Sequence, residues 1–162
     1  MGNLSKANLS KANLGGASLV SASLREAILI ETALRKALLE GADLRKTNLS
    51  RANLGKVKLN EADLSETNFS NANLREVDLS KTKLFKANLG GTNLVYANLS
   101  EALPEETDLR EANLNHAFNL TCDQIKPALI NKNTRLPDYL YLTWSTDASY
   151  TCKNLTHEEE AK

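Results

Sequence analysis

The chain has few of the residues from which catalytic and metal chemistry is built. Its 162 residues include two histidines, two cysteines, one tryptophan and three prolines. Neither His116 nor His157 stands at a metal-ligand spacing from Cys122 and Cys152, so no metal centre or cofactor is implied. Lys and Arg total 20 against 20 Asp and Glu, for a net charge of zero. That balance dictates neither a general nucleic-acid footprint nor an acidic field. No apolar run is long enough to cross a membrane, so no membrane insertion is expected.

What is present is repetition. Leucine recurs at every fifth position from Leu4 to Leu114, interrupted by Phe69 and Pro104. On an α-helix of about 3.6 residues per turn, leucines so spaced would wander round every side. On a flat strand an odd spacing would throw them onto alternate faces. The chain must therefore turn once in each repeat. The residue two before each leucine is small, as in Ala7, Ala52 and Ala112, with Thr32, Thr47, Thr67 or Val57 as substitutes. Residues two apart on an extended segment share a face. Each repeat thus reads as Ala52-Asn53-Leu54, with alanine and leucine inward and asparagine outward, followed by a corner such as Gly55-Lys56. Stacked repeats make a β-solenoid whose layers hydrogen-bond to one another.

Corner charges set the number of repeats per coil. Lys6, Glu26, Lys46, Glu66, Lys86 and Glu106 alternate in sign at a spacing of twenty, as stacked neighbours should. Four repeats per coil fits this best, although it also stacks Arg25 on Arg45 and Asp43 on Asp63. A spacing of fifteen would set Lys36 against Arg51.

Tandem Ala-(Asn/Asp)-Leu-X-X units over roughly Asn3 to Ala117 resemble the pentapeptide repeat proteins, especially small cyanobacterial members. The resemblance implies an all-β fold, a right-handed quadrilateral β-helix, and a role as a noncatalytic binding surface or scaffold for a protein partner. Some members inhibit DNA gyrase by mimicking DNA, which makes a topoisomerase-binding regulator the first alternative; neutral charge disfavours it. An enzyme is the second alternative, disfavoured by the absence of a catalytic constellation. Asp43, Asp63, Asp78 and Asp108 fall at outward repeat positions rather than in a paired cleft. Gly15-Gly16 and Gly90-Gly91 are corners without the strand-to-helix context of a phosphate loop.

The repeats occupy 1–117 and a different composition, read as a cap and tail, occupies 118–162. A short helix is expected over 121–130, with Thr121 or Asp123 capping it and Pro127 limiting it. Tyr139, Tyr141, Trp144 and Tyr150 either pack over the last coil or face a partner. Cys122 and Cys152 form a disulfide in an oxidising compartment or stand as two thiols in a reducing one. Repeats begin almost at Met1 without a leader, which favours the cytoplasm; a leader removed before Met1 would indicate the periplasm or thylakoid lumen. The acidic run from Glu158 to Glu160 reads as a solvated tail.

One stretch departs from the repeat grammar. Ile28, Ile30, Ala33 and Leu38 replace polar residues at outward or corner positions, with Val20 just before them. They are the candidate partner surface. Phe85, Val95 and Tyr96 form a second departure spread over different faces. The open first coil offers a further contact, a weak homo-oligomer through its backbone edge. Asn48, Asn68 and Asn88, with Asn53, Asn73, Asn93 and Asn113, are positioned for side-chain ladders along two faces.

Overall fold

The computed structural model describes residues 2–146 and 149–155. The chain winds into a right-handed quadrilateral β-helix in which each outward residue pairs in parallel with the residue twenty further on, as in Asn3 with Ser23 and Asn8 with Ile28. Four repeats therefore close one coil. We number the faces by their first-coil residues: face 1 begins at Asn3, face 2 at Asn8, face 3 at Asn13 and face 4 at Ser18. Successive coils begin on face 1 at Asn3, Ser23, Asp43, Asp63, Lys83 and Leu103.

A single repeat accounts for all its backbone donors, which a buried solenoid wall requires. The leucine N–H donates to the coil ahead, Leu44 to the Asp63 carbonyl at 2.8 Å, and the second corner residue does likewise, Lys46 to Ser65 at 3.1 Å. The next residue closes the turn on the leucine carbonyl, Thr47 to Leu44 at 3.0 Å, and the outward residue donates to the coil behind, Asn48 to Ala27 at 2.9 Å. That leaves the first corner N–H, and the outward side chain takes it: Ser50 N–H donates to Asn48 Oδ1 at 3.1 Å and Ser70 N–H to Asn68 Oδ1 at 3.0 Å. The recurring Asn or Asp is thus an Asx cap on its own corner. Ladder contacts between carboxamides, such as Asn73 Nδ2 to Asn53 Oδ1 at 3.3 Å, come second to this duty.

Positive φ at the second corner residue, for example 59° at Lys46 and 58° at Glu76, matches the second central residue of a type II turn. At Gly91, φ is 65°, which lysine and glutamate also adopt at this corner, but a Cβ would come within 2.6 Å of Asn71 Oδ1, so a larger residue there would displace the Asn71 side chain.

From Ala22 on, the inward leucines of the repeats, Leu24 to Leu114, are buried, as are the alanines, valines and threonines of the inward small position. The threonines bring hydroxyls into an apolar interior, where an unpaired polar group is costly. Each is satisfied: Thr47 Oγ1 donates to the Leu24 carbonyl at 2.7 Å, Thr67 to Leu44 at 2.7 Å and Thr107 to Leu84 at 2.6 Å.

At the end of the repeats Phe118 pairs with Asn98, and the helix α1 (Cys122–Ile125) follows. Thr121 caps it in a capping box with Gln124. This helix is shorter than the 121–130 expected from sequence. Pro127 cannot donate to a helical carbonyl, and beyond it Leu129 joins the solenoid ladder opposite Asp108, donating to the Thr107 carbonyl at 2.8 Å. Arg135 pairs with Asn113 in the same way, so the tail continues the wall on faces 2 and 3. A hairpin of β1 (Leu140–Trp144) and β2 (Tyr150–Asn154) completes it. A disulfide joins Cys122 to Cys152, with Cα atoms 5.6 Å apart, and ties the hairpin to α1.

Pro104 lies inward and buried near the end of face 1. It has no N–H to donate forward, and the chain ahead of it is helix rather than a further rung. Gln124 covers the exposed edge beside it, its Nε2 donating to the Leu99 and Ala102 carbonyls at 2.8 and 2.9 Å.

Candidate interaction surface

The four residues singled out from sequence all lie in the second coil but do not share one face. Ile28 stands on face 2 and is 39% exposed, Ile30 is half-buried at the corner between faces 2 and 3, and Ala33 is half-buried on face 3. These three wrap one corner. Leu38 stands on face 4, opposite Ile28, and Val20 lies at the corner between faces 4 and 1. The second departure divides likewise: Phe85 sits at the corner between faces 1 and 2, with Lys86 Nζ 4.9 Å from its ring centroid, whereas Val95 and Tyr96 sit between faces 3 and 4.

Replacing the outward Asn has a cost that the sequence pattern alone did not reveal. Ile28, Ala33 and Leu38 offer no side-chain acceptor, so the N–H groups of Ile30, Arg35 and Glu40 have no partner among the described residues. Three consecutive corners of one coil thus present an open backbone donor to the outside, beside apolar side chains.

The charged corners follow the stacking expected of them. Lys6 meets Glu26 at 3.7 Å, Lys46 meets Glu66 at 3.6 Å and Lys86 meets Glu106 at 3.5 Å, all largely exposed and individually weak. The like-on-like stack of Asp43 and Asp63 is relieved by Arg45, which holds Asp43 at 2.6 Å and lies 3.9 Å from Asp63. The Arg45 side chain, more than opposing desolvation, keeps the Asp43 carboxyl below its ordinary pKa. Arg110 does the same for Asp108.

The tail aromatics divide by burial. Tyr139 and Tyr150 pack against the core, with the Tyr139 hydroxyl accepting from the Leu120 N–H at 3.0 Å and the Tyr150 hydroxyl donating to the Ile125 carbonyl at 3.0 Å. Burial raises both phenol pKa values. Trp144 tilts against Tyr150, while Tyr141 is exposed. His116 is stacked on Tyr96 with ring centroids 5.0 Å apart, far from any metal-ligand arrangement. Among the described residues no group of three His, Cys, Asp or Glu could hold a metal ion, and no helix is long and apolar enough to cross a membrane. His157 and the acidic run from Glu158 to Glu160 lie outside the described residues.

The family described as Pentapeptide repeats matches in eight copies, over residues 3–41, 27–65, 52–91 and 87–118. The chain is a pentapeptide repeat protein. Similar solved structures of pentapeptide repeat proteins include HetL, described as involved in heterocyst differentiation regulation, from the cyanobacterium Nostoc sp. strain PCC 7120. It is 29% identical, with 85% of this chain and 74% of that one covered at a TM-score of 0.37. A trypsin-treated form of QnrB1, described as a plasmid-mediated fluoroquinolone resistance protein, is 15% identical over 80% of this chain and 79% of its own, with a TM-score of 0.53. A pentapeptide repeat protein of the Arabidopsis thaliana thylakoid lumen is 23% identical over 72% and 70% of the two chains, with a TM-score of 0.34. A comparison with curated proteins finds no match. The QnrB1 likeness bears on the fold alone.

Proposed function

We propose that this pentapeptide repeat protein is a noncatalytic docking module that receives a protein partner on face 3 and the corner it shares with face 2. The observation that carries the reading is the second coil. There Ile28, Ile30 and Ala33 stand where neighbouring coils place Asn8, Asn48, Ser10, Ser50, Asn13 and Asn53, and the N–H groups of Ile30 and Arg35 lose their side-chain acceptor. An apolar corner with open donors suits an edge that supplies both side chains and carbonyls. A face of coils spaced ~4.8 Å apart is narrow against the roughly 800 Å² per partner of a standard interface, which favours a contact using a face and a corner together. Net neutrality supports this reading over a DNA-mimicking topoisomerase regulator.

The double variant Ile28→Asn with Ile30→Ser tests it. The introduced carboxamide restores the corner cap, so the melting temperature should hold or rise, while recovery of partners from the native cell should fall. Unchanged recovery would return these isoleucines to ordinary surface. The disulfide between Cys122 and Cys152 supports residence in an oxidising compartment over the cytoplasm. A thiol count on denatured, unreduced protein from its native source should find none free, and two free thiols would restore the cytoplasm.

A further inference from the structure

The turn Asp43-Leu44-Arg45 shows how this backbone grips a carboxylate. Asp43 Oδ1 accepts from the Arg45 N–H at 3.2 Å and from Arg45 Nε at 2.8 Å, and its Oδ2 accepts from Arg45 Nη2 at 2.6 Å. Asp108-Leu109-Arg110 repeats the clamp at 3.0, 2.9 and 2.6 Å. The planar guanidinium fork takes two oxygens while the corner N–H adds a third donor, an arrangement that favours charged acceptors.

Ala33-Leu34-Arg35 presents the same two donors without the acid. Among the described residues neither the Arg35 N–H nor its guanidinium has a partner, and the Lys36 ammonium beside it has none. Arg25, which follows Ser23, differs because Asp43 in the next coil draws on its charge. Ahead of Arg35 in its column stands Gly55, whose φ is not positive and where a Cβ would lie at an ordinary 3.5 Å from Asn53 Oδ1. Neither backbone conformation nor crowding demands glycine there. The missing side chain opens a notch of about 80 Å³ lined by Arg35, Lys56, Asn73, Arg75 and Glu76.

The charge stacking breaks at the same corner. Lys36 is followed in its column by Lys56, whereas the Lys6, Lys11, Lys46 and Lys86 ammoniums each meet a glutamate in the next coil. Like charges so stacked are unfavourable unless another group compensates them. The one acid present, Glu76, is engaged by Lys56 at 3.0 Å and Arg75 at 3.3 Å. Further along, the Tyr96 ring lies between the Arg75 guanidinium, 4.8 Å from its centroid, and the His116 ring. It has no open face for a stacked base, so the corner lacks the platform of a single-stranded nucleic-acid site.

We propose that the Ala33-Leu34-Arg35 turn is a receptor for a carboxylate carried by a protein partner, an Asp or Glu in an acidic segment lying along the corner between faces 3 and 4. The assignment rests on the docking reading above and names the chemistry of the partner. The incoming oxygens take the positions that Asp43 supplies to Arg45 in the neighbouring coil.

The test is a titration of the intact protein with a labelled peptide of alternating Glu and Gly, against the same peptide with Gln for Glu, at low salt. The Glu peptide should bind at least about tenfold more tightly, a difference of ~1.4 kcal/mol. Ala33→Asp should fill the clamp from within and remove that preference while leaving the circular dichroism unchanged and the melting temperature level or higher. Arg35→Gln should remove it as well, and Lys46→Glu at the opposite corner should not. Equal binding of the two peptides, or full binding by the folded Ala33→Asp protein, would overturn the proposal. So would a single-stranded oligonucleotide or free succinate binding more tightly than the Glu peptide. Partner recovery separates the two readings: loss with the Ile28 and Ile30 pair but not with Ala33→Asp overturns the carboxylate receptor and spares the docking face. If neither variant alters recovery, the docking face falls and the peptide titration alone decides the receptor.

Discussion

The coils and the tail solve one problem, the satisfaction of a β-edge, in opposite ways. Within the coils the donors follow a rule that any Asn or Asp can execute, broken at the corners after Ile28, Ala33 and Leu38, and each rung is covered by a like rung. In the tail each need is met once, by a particular residue: Gln124 on the Leu99 and Ala102 carbonyls, Tyr139 on the Leu120 N–H, Thr134 Oγ1 on the Leu109 carbonyl at 3.0 Å. Repetition makes surface positions of the coils replaceable and their interior unforgiving. The tail has no such redundancy, so its polar residues carry individual weight.

The harshest way to break this comparison is to charge the interior. Leu64 is fully buried between coils, so Leu64→Lys should leave an unpaired ammonium in an apolar column and abolish cooperative folding, seen as loss of the melting transition. A melting temperature equal to that of Lys46→Ala, a change at an exposed corner, would contradict the inward assignment.

Reduction of the disulfide comes next. The bridge closes a separation of 30 residues, which corresponds to roughly 3.5 kcal/mol in the chain-entropy account. Hydrogen exchange should quicken first in β1 and β2 while the third and fourth coils keep their protection. Uniform loss of protection would mean that tail and coils unfold as one unit.

Gln124→Ala probes a single tail contact. Uncovering two edge carbonyls and losing half of the capping box should cost about 1–3 kcal/mol in denaturant unfolding. The matched change in a coil, Asn13→Ala, leaves one corner N–H, that of the exposed Gly15, open to solvent and should cost less. Reversal of that order would show that the tail shares the redundancy of the coils.

Acid gives the smallest effect. The Asp43 carboxyl is held below its ordinary pKa in the folded state, so its contribution to stability is present above the unfolded carboxylate pKa of about 3.9. It is lost as pH falls through that value and on through the folded one. The gap in melting temperature between the native protein and Asp43→Asn should therefore narrow between about pH 6 and pH 2. A gap constant over that range would place the stabilisation elsewhere than in the ion pair with Arg45.

The period of five and the alternation from Lys6 to Glu106 were enough to read the coil, its four faces and the inward leucines, because these features recur and each copy corroborates the others. The purpose of the outward Asn was not legible as a corner cap, since an outward polar residue looks the same whether it meets water or its own backbone. For the same reason Asp43 and Arg45, two apart in sequence, read as a stack of like charges with their neighbours rather than as a clamp. The return of Leu129 and Arg135 to the wall had no signal either, because tail residues pair across separations that follow no period. Ile28, Ile30, Ala33 and Leu38 stood out as departures, but whether they meet depends on which corner each occupies.

Pairing at a separation of twenty residues gives length changes an unusual meaning. Removing one whole pentapeptide between coils leaves every leucine inward and every corner closed, yet carries everything beyond it round by a quarter turn. Columns would be spliced to different columns, Lys to Asn or Arg to Ile, and the tail would meet a different side of the stack. The solenoid thus behaves as a combination lock, in which five-residue steps reshuffle what the outside displays and leave the inside untouched.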